Sequence, residues 1–446
     1  MLLDEHKQLA NKIVDLSKKS GADTAVVRID YNKNNQISVR EQKIESLEQA
    51  GSKSLSLTLS KDKKRVSVSS NDFSESAIKN LIKDAMAMVK YMGADEFYNL
   101  PDESELGKAS EELLLFDPKE SDFPMERRIE MAKALESNAL KENKDLISDG
   151  ASVGSNSGHT VLANSKGFCD GYQYTDCFID MNCAVPDSTD GLNSARKQSG
   201  GWYSVGRSFE KLDSVENVAK IAAKRTLDKR GARKPKTQVV PVIFENNVSR
   251  ALLSFLVNAI SGSNIYTKQS FLTDKLGHKI AGENITIIED PLIPGQLGSR
   301  PFDADGVKSK KKVVVEKGVL KTFLLDTYSA NKLRSKTTGN AGGVSNFYLT
   351  PGSYSLEELI KSVDNGVLIT SLSGFGEILQ TGDYSRGAQG FWIEHGKIAY
   401  AVNEFTIASN MYKILENVEM IGNDPLITGS IYCPSLKIKE MTVSGV

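Results

Sequence analysis

The chain has 446 residues, more than one hydrophobic core usually spans, so two or three domains are the starting expectation. Apolar residues make up 39% and charged residues 25%, and the formal net charge of -1 leaves no global cationic field to draw the protein onto nucleic acid or anionic lipid. No stretch has the uncharged apolar length of a membrane span, and the opening residues mix Asp4, Glu5, His6 and Lys7 with apolar positions where a secretory signal would be basic and then greasy; a cytoplasmic protein is expected.

Leu9, Ile13, Val14 and Leu16 share one side of a first helix that stops at Gly21. Ala25 to Tyr31, Gln36 to Arg40, Lys53 to Leu59 and Arg65 to Ser69 follow with the two-residue alternation of half-buried strands, and read as antiparallel hairpins. Asp72-Phe73-Ser74-Glu75 then has the form of a capping box ahead of a helix carrying Ile78, Leu81, Ile82, Ala85 and Val89. Asp122 to Glu136, with Pro124 in its first turn, predicts another helix. Ile147 to Val205, rich in Gly, Ser and Asn, suits a meander of strands, and a helix is predicted from Asp213, with Val218, Ile221 and Leu227 as its buried stripe.

Cations, Gly231 and Pro235 interrupt the pattern between Lys229 and Lys236, and the main domain boundary is placed there, giving units 1–230 and 231–446. The second unit opens with a strand, Gln238 to Glu245, and a helix capped by Asn246 or Asn247 that runs to Ser261. Strand candidates dominate the remainder: Ile285 to Ile288, Lys312 to Val315, Leu320 to Leu325, Gly390 to Glu394, Lys397 to Val402, Glu404 to Ile407 and Ser435 to Val443. Runs of strands with few helices argue for an α+β protein: an N-terminal domain of antiparallel strands and helices, and a C-terminal domain of mostly antiparallel β structure.

No phosphate-cradling glycine loop occurs. Gly150-Ala151-Ser152-Val153-Gly154 matches G-x-S-x-G, but Ser155-Asn156-Ser157-Gly158 is a poor start for the helix a nucleophile elbow requires, so the match is read as a coincidence of a Gly/Ser-rich stretch. Cys169, Cys177, Cys183 and Cys433 form no C-x-x-C pair and are read as reduced thiols in packing or surface roles. The four histidines, His6, His159, His278 and His395, include no two about a helical turn apart, as a zinc peptidase helix needs; His159, His278 and His395 are assigned to the surface. The cations of Lys308 to Lys312, beside Val313-Val314-Val315, are read as protection of a strand against edge pairing.

Three glycine-bearing segments, Thr338 to Gly343, Thr381 to Gly387 and Gly387 to Gly390, are candidates either for tight turns or for loops where backbone approaches a ligand. Asn340, Arg386, Gly387 and Gly390 are taken from them as candidate substrate-binding residues. A guanidinium such as that of Arg386 can fork onto a peptide's terminal carboxylate; it can equally be held in an internal ion pair.

A family resemblance covers most of residues 238–446. Ser299-Arg300-Pro301-Phe302-Asp303-Ala304-Asp305-Gly306-Val307, Gly318 to Ala330 and Thr338-Gly339-Asn340 are similar to the core signature of the TldD/PmbA family, also named modulator of DNA gyrase or peptidase U62. Thr381 to Gly387, Gly390-Phe391-Trp392, Ile421-Gly422-Asn423-Asp424, Pro434-Ser435-Leu436 and Met441-Thr442-Val443 follow in the family's order. The family's catalytic subunit, TldD, carries an H-E-x-x-x-H helix after a strand; here the motif falls on Ser254, Phe255 and Ala259, and nowhere does Val248 to Ser261 contain His, Cys, Asp or Glu. Cys433 is followed by Pro434 and Ser435 rather than by the G-K-x-G-Q of the catalytic subunit's late cysteine, so no ligand role passes to it.

The resemblance therefore implies a PmbA/TldE-type subunit with no catalytic residue and no metal of its own. Its implied partner is a TldD-like catalytic subunit that holds the zinc, and the pair would form a cytosolic metallopeptidase acting on unfolded or short peptides. Two alternatives stand beside it: a stand-alone peptidase whose site combines Asp303, Asp305, Asp383 and a histidine, and a homodimer that binds peptides or a gyrase-related factor.

Overall fold

The computed structural model describes residues 2–187 and 196–446. In the first half, β1 (Thr24–Arg40), β2 (Lys43–Lys61), β3 (Lys64–Ser70), β4 (Ile147–Asn164), β5 (Cys169–Pro186) and β6 (Lys197–Gly206) form one antiparallel sheet ordered β3-β2-β1-β4-β5-β6. Four helices cover it: α1 (Leu2–Lys19), α2 (Glu75–Met88), α3 (Met125–Lys141) and α4 (Val215–Leu227). Side chains of a strand alternate between faces, so the odd-numbered residues of β1 all point one way. Ala25, Val27 and Ile29 meet α1 and α2 in one core, while Ile37 and Val39 meet α3 and α4 in another. The two helix pairs therefore sit side by side on one face of unusually long strands.

Between the pairs the same face is polar. Asn35, Ser155 and His159 are buried there, and Arg128 of α3 reaches into the strip to Glu120 at 3.1 Å and to Ser155 Oγ at 2.5 Å. His6 of α1 meets His159 at 2.7 Å, and Tyr31 stacks on the His159 ring. This strip explains two departures from the expected pattern. Ala25 to Tyr31 and Gln36 to Arg40 are one strand, because Asn32 to Asn35 pair with β2 on one side and β4 on the other, which overrides asparagine's low strand preference. His159 is not at the surface: it lies on a central strand under α1 and is 3% exposed.

The second half contributes β7 (Gln238–Phe244), β8 (Ile287–Glu289), β9 (Lys312–Glu316), β10 (Val319–Leu320) and β11 (Phe347–Leu349). Then come β12 (Asn365–Ser373), β13 (Glu377–Ile378), β14 (Asp383–Glu394), β15 (Lys397–Asn410), β16 (Val418–Ile421), β17 (Ile431–Tyr432) and β18 (Leu436–Ser444). One sheet runs β12-β7-β18-β15-β14-β13, and a further pairing of β12 with β14 closes it on itself like a barrel. A smaller sheet, β10-β9-β8-β11-β17, lies beside it. Helix α5 (Asn246–Ala259) follows β7 directly, and its Leu252, Leu256 and Ala259 enter one core with Val242 and Phe244 of the closed sheet and Ile287, Val315 and Phe347 of the smaller one. The molecule is α+β, with the antiparallel strands and helices of the first half followed by a β-rich second half.

Three helix starts differ from the expected ones. Ser214, not Asp213, caps α4 through Asn217 N–H, and α3 starts at Met125 behind Pro124. Glu245, not Asn246 or Asn247, is the N-cap of α5 and makes no side-chain cap hydrogen bond; the Asn246 side-chain amide donates to the Asp424 carbonyl and that of Asn247 to the Thr370 carbonyl. Of the run expected over Leu320 to Leu325 only Leu320 lies in a strand, the short β10 of Val319–Leu320. The Lys308–Lys312 cations do not guard an edge: β9 is paired on both sides, Lys311 meets Asp290 at 3.0 Å and Lys312 meets buried Glu289 at 2.9 Å.

The His6–His159 pair makes stability pH-dependent. Burial, then His6, hold His159 down at about 4 despite the opposing field of Asp30; burial also lowers His6, against Glu5 and with Lys53. Unfolded histidines titrate near ~6.5, so between that pH and about 4 the unfolded chain takes up protons that the folded chain refuses, and stability falls as pH falls. His159→Asn retains a hydrogen-bonding group and cannot titrate. Urea unfolding across this window is expected to show a shallower acid-side loss for the variant; an unchanged slope contradicts the assignment.

Candidate functional site

A cleft of about 810 Å³ opens beside α5. The helix offers it Asn247, Arg250, Ala251, Ser254 and Asn258, a stripe at three- and four-residue spacing opposite the leucines in the core. Its other wall is the end of β12. That strand pairs with β7 only as far as Ile369, opposite Phe244, while its other side stays paired with β14 to Ser373. The Thr370 carbonyl accepts from Asn247 Nδ2 at 3.1 Å and from Arg225 Nη2 at 3.4 Å. Ser371 and Leu372 then line the cleft with no strand partner on that side among the described residues.

The charges around this edge are mostly matched. Arg386 donates to Glu377 at 2.6 Å and, through Nε, to the Ser373 carbonyl, so of the two roles open to it the internal ion pair is the one adopted. Arg225 grips Glu245 through two 2.8 Å hydrogen bonds. Arg250 differs: its hydrogen bond goes to the neutral Thr428 Oγ1 at 3.0 Å, and it joins no salt bridge among the described residues. Phe255, Leu372, Phe375 and Leu379 supply apolar surface, and Phe375, 99% exposed, stands at the rim under the Arg386 guanidinium.

The positions that would carry a zinc motif do not fit the ion. The Ser254 hydroxyl donates to the Arg250 carbonyl within the helix, Phe255 is stacked on Phe271, and Ala259 is buried in the core. None offers a nitrogen, thiolate or carboxylate. Among the described residues no three His, Cys, Asp or Glu side chains cluster to hold a metal ion. Cys433 is wholly buried, and burial pushes its thiol up to about 12.

The other sequence candidates are dispersed. Gly387 and Gly390 lie within strand β14, not in loops. At both, a Cβ would collide with β12: with Ser373 Oγ at Gly387, and with the Leu368 carbonyl at Gly390, beside a bulge. They serve sheet closure. Asp303 is buried and anchors a turn, accepting from the amides of Asp305, Val307 and Ala341; burial, then Asp305, push it up to about 7. Asp305, in the same turn, accepts from Thr327 N–H, whereas Asp383 pairs with Thr381 and Asn410 in a different part of the structure, so the three carboxylates do not form one site. Arg250 escaped the sequence reading, although a signal was there: it is the one charged residue of Asn246–Ala259.

Comparison with known proteins places these features in context. Family models for the PmbA/TldA metallopeptidase match the chain in three parts: domain 1 at residues 25–89, the central domain at 118–230 and the C-terminal domain at 237–445. A metalloprotease PmbA homolog of Buchnera aphidicola is 36% identical, covering 99% of this chain and 98% of its own length. Metalloprotease PmbA of Escherichia coli O157:H7 is 34% identical, with 95% and 93% covered. Among solved structures, a Bacteroides thetaiotaomicron protein described as a candidate modulator of DNA gyrase is 30% identical over the whole of both chains, with a TM-score of 0.94. TldE from Thermococcus kodakarensis, at 22% identity and TM-score 0.86 over 98% of this chain and all of its own, shares the fold.

Asn340 lies in the small-sheet region. Its amide donates to both oxygens of Glu289 at 2.9 Å, and its carbonyl accepts from Lys312 and Thr338. With Glu289 only 1% exposed, Asn340→Ala strips two donors from a buried carboxylate. The expected result is a loss of about 2–3 kcal/mol in denaturant unfolding, with peptide binding unchanged once folded; a neutral effect on stability contradicts the assigned role.

Proposed function

The chain belongs to the PmbA/TldD family of metallopeptidases, and from that premise we propose that it is the PmbA/TldE-type, non-catalytic subunit of a cytosolic peptidase complex. In this reading a TldD-like subunit carries the zinc on an H-E-x-x-x-H helix, and the substrates are short or unfolded peptides. The observation that carries the proposal is the pairing of an open strand edge with a helix unable to ligate metal: Ser254, Phe255 and Ala259 stand where two ligands and a base would be required.

Water activation by zinc needs imidazole or carboxylate ligands and a nearby base, and α5 supplies none of them. Peptide binding needs less. An extended chain can be held by main-chain hydrogen bonds to Ser371 and Leu372, with apolar side chains against Phe255, Leu372 and Leu379, as an added strand. A folded protein has no free extended segment to offer such an edge, which accounts for selection of unfolded or short chains. The chain's own residues thus bind and orient, and the chemistry belongs to the partner.

Mixing separately purified chains tests this. Neither this chain alone nor its substrate peptide alone should show turnover, and mixing with the cognate H-E-x-x-x-H-bearing homologue should give peptide cleavage well above that of the homologue by itself, in a species that co-elutes on size exclusion. Cleavage by the purified chain would support a stand-alone peptidase instead. Absence of co-elution would support a homodimeric binding protein.

A further inference from the structure

The charge balance of the cleft leaves one group unexplained. Arg386 is matched by Glu377 and Arg225 by Glu245. Arg250 lines the same cleft, and its hydrogen-bond partner is neutral. That contact orients the side chain without neutralising it: Thr428 Oγ1 accepts from Arg250 Nη1 at 3.0 Å, and Thr428 is itself tied to β6 by the Tyr203 hydroxyl, which donates to the same oxygen at 3.3 Å. The Arg250 carbonyl is in turn tied to Ser254 Oγ at 3.0 Å. A cation half-buried in a cleft, oriented and uncompensated, loses hydration without gaining a counter-charge, unless the ligand brings one.

We infer that Arg250 is the anchor for a carboxylate of the bound peptide, either its C-terminal carboxylate or an acidic side chain. The inference deepens the peptide-binding reading above and rests on it. The geometry suits the chemistry: a guanidinium offers five donors in a fixed fork, and only Nη1 is engaged, leaving Nη2 and Nε for a carboxylate. The strand edge at Ser371 and Leu372 on the opposite wall takes main chain, so a peptide extended along it presents its end or a side chain to Arg250 across the cleft. Glu377, the cleft's own carboxylate, is already held by Arg386 and does not compete.

Fluorescence anisotropy on the full chain, alone and after assembly with its partner, tests this with three labelled peptides: one with a free C-terminus and no acidic side chain, its C-terminally amidated twin, and an amidated version with one internal Glu. A carboxylate-bearing peptide is expected to bind about tenfold more tightly than the neutral twin, with the free-terminus and Glu arms identifying which carboxylate is read. Arg250→Gln, which keeps a donor for Thr428, should bring all three to parity at an unchanged unfolding midpoint, and Arg250→Lys should recover part of the preference. Parity in the native chain, no binding of any peptide, or a preference that survives in R250Q overturns the inference. A preference that depends on Arg250 while the mixed subunits fail to cleave would instead sink the complex and leave the anchor standing.

Discussion

Strand β12 determines the rest of the second half. Paired to β14 along one side and to β7 along the other, it closes the C-terminal sheet, but β7 ends at Phe244 and the chain turns into α5. The helix must bury Leu252, Leu256 and Ala259 in the shared core, so its remaining face has one direction left, outward, beside the place where β12 runs out of partner. Cleft, open edge and the stripe from Asn247 to Asn258 are consequences of that single geometry. Gly390 belongs to it too, since no side chain fits between β14 and the Leu368 carbonyl.

The same geometry separates binding from catalysis. A strand edge and an apolar wall can hold a peptide by features of the backbone and core, whereas metal chemistry depends on a few side chains. In this chain those positions carry a hydroxyl, a phenyl ring and a methyl group, each engaged with its own helix or core. Arg250, on the same stripe, supplies positive charge without coordination chemistry. The absence of metal-ligating side chains on this helix is the physical basis of the proposal that the chain is a non-catalytic subunit.

The sequence showed much of this and missed the rest for identifiable reasons. Apolar periodicity located α1 to α5 and most strands, because burial on one face writes a repeating pattern. It divided β1 at Asn32 to Asn35, because a polar strip between two helix pairs looks like a turn to any reading that assumes one core per strand. His159 was placed at the surface for the same reason, its partner His6 being 153 positions away in the chain. The glycines of β14 read as loop glycines since close strand approach and tight turning select the same residue. Asn340 and Arg386 were read as candidate substrate-binding residues, and the sequence did not show that their side chains are tied to the internal carboxylates of Glu289 and Glu377. Arg250 needed the opposite information, that its partner Thr428 is neutral and that it joins no salt bridge among the described residues.

The central claim is that this polypeptide binds peptide without binding the catalytic metal, and equilibrium dialysis of the isolated chain against zinc, with metal counted per polypeptide, tests it most directly. The account predicts no stoichiometric, chelator-sensitive zinc in the isolated chain. One zinc per chain, displaced by substitutions at Ser254 or Cys433, would contradict it.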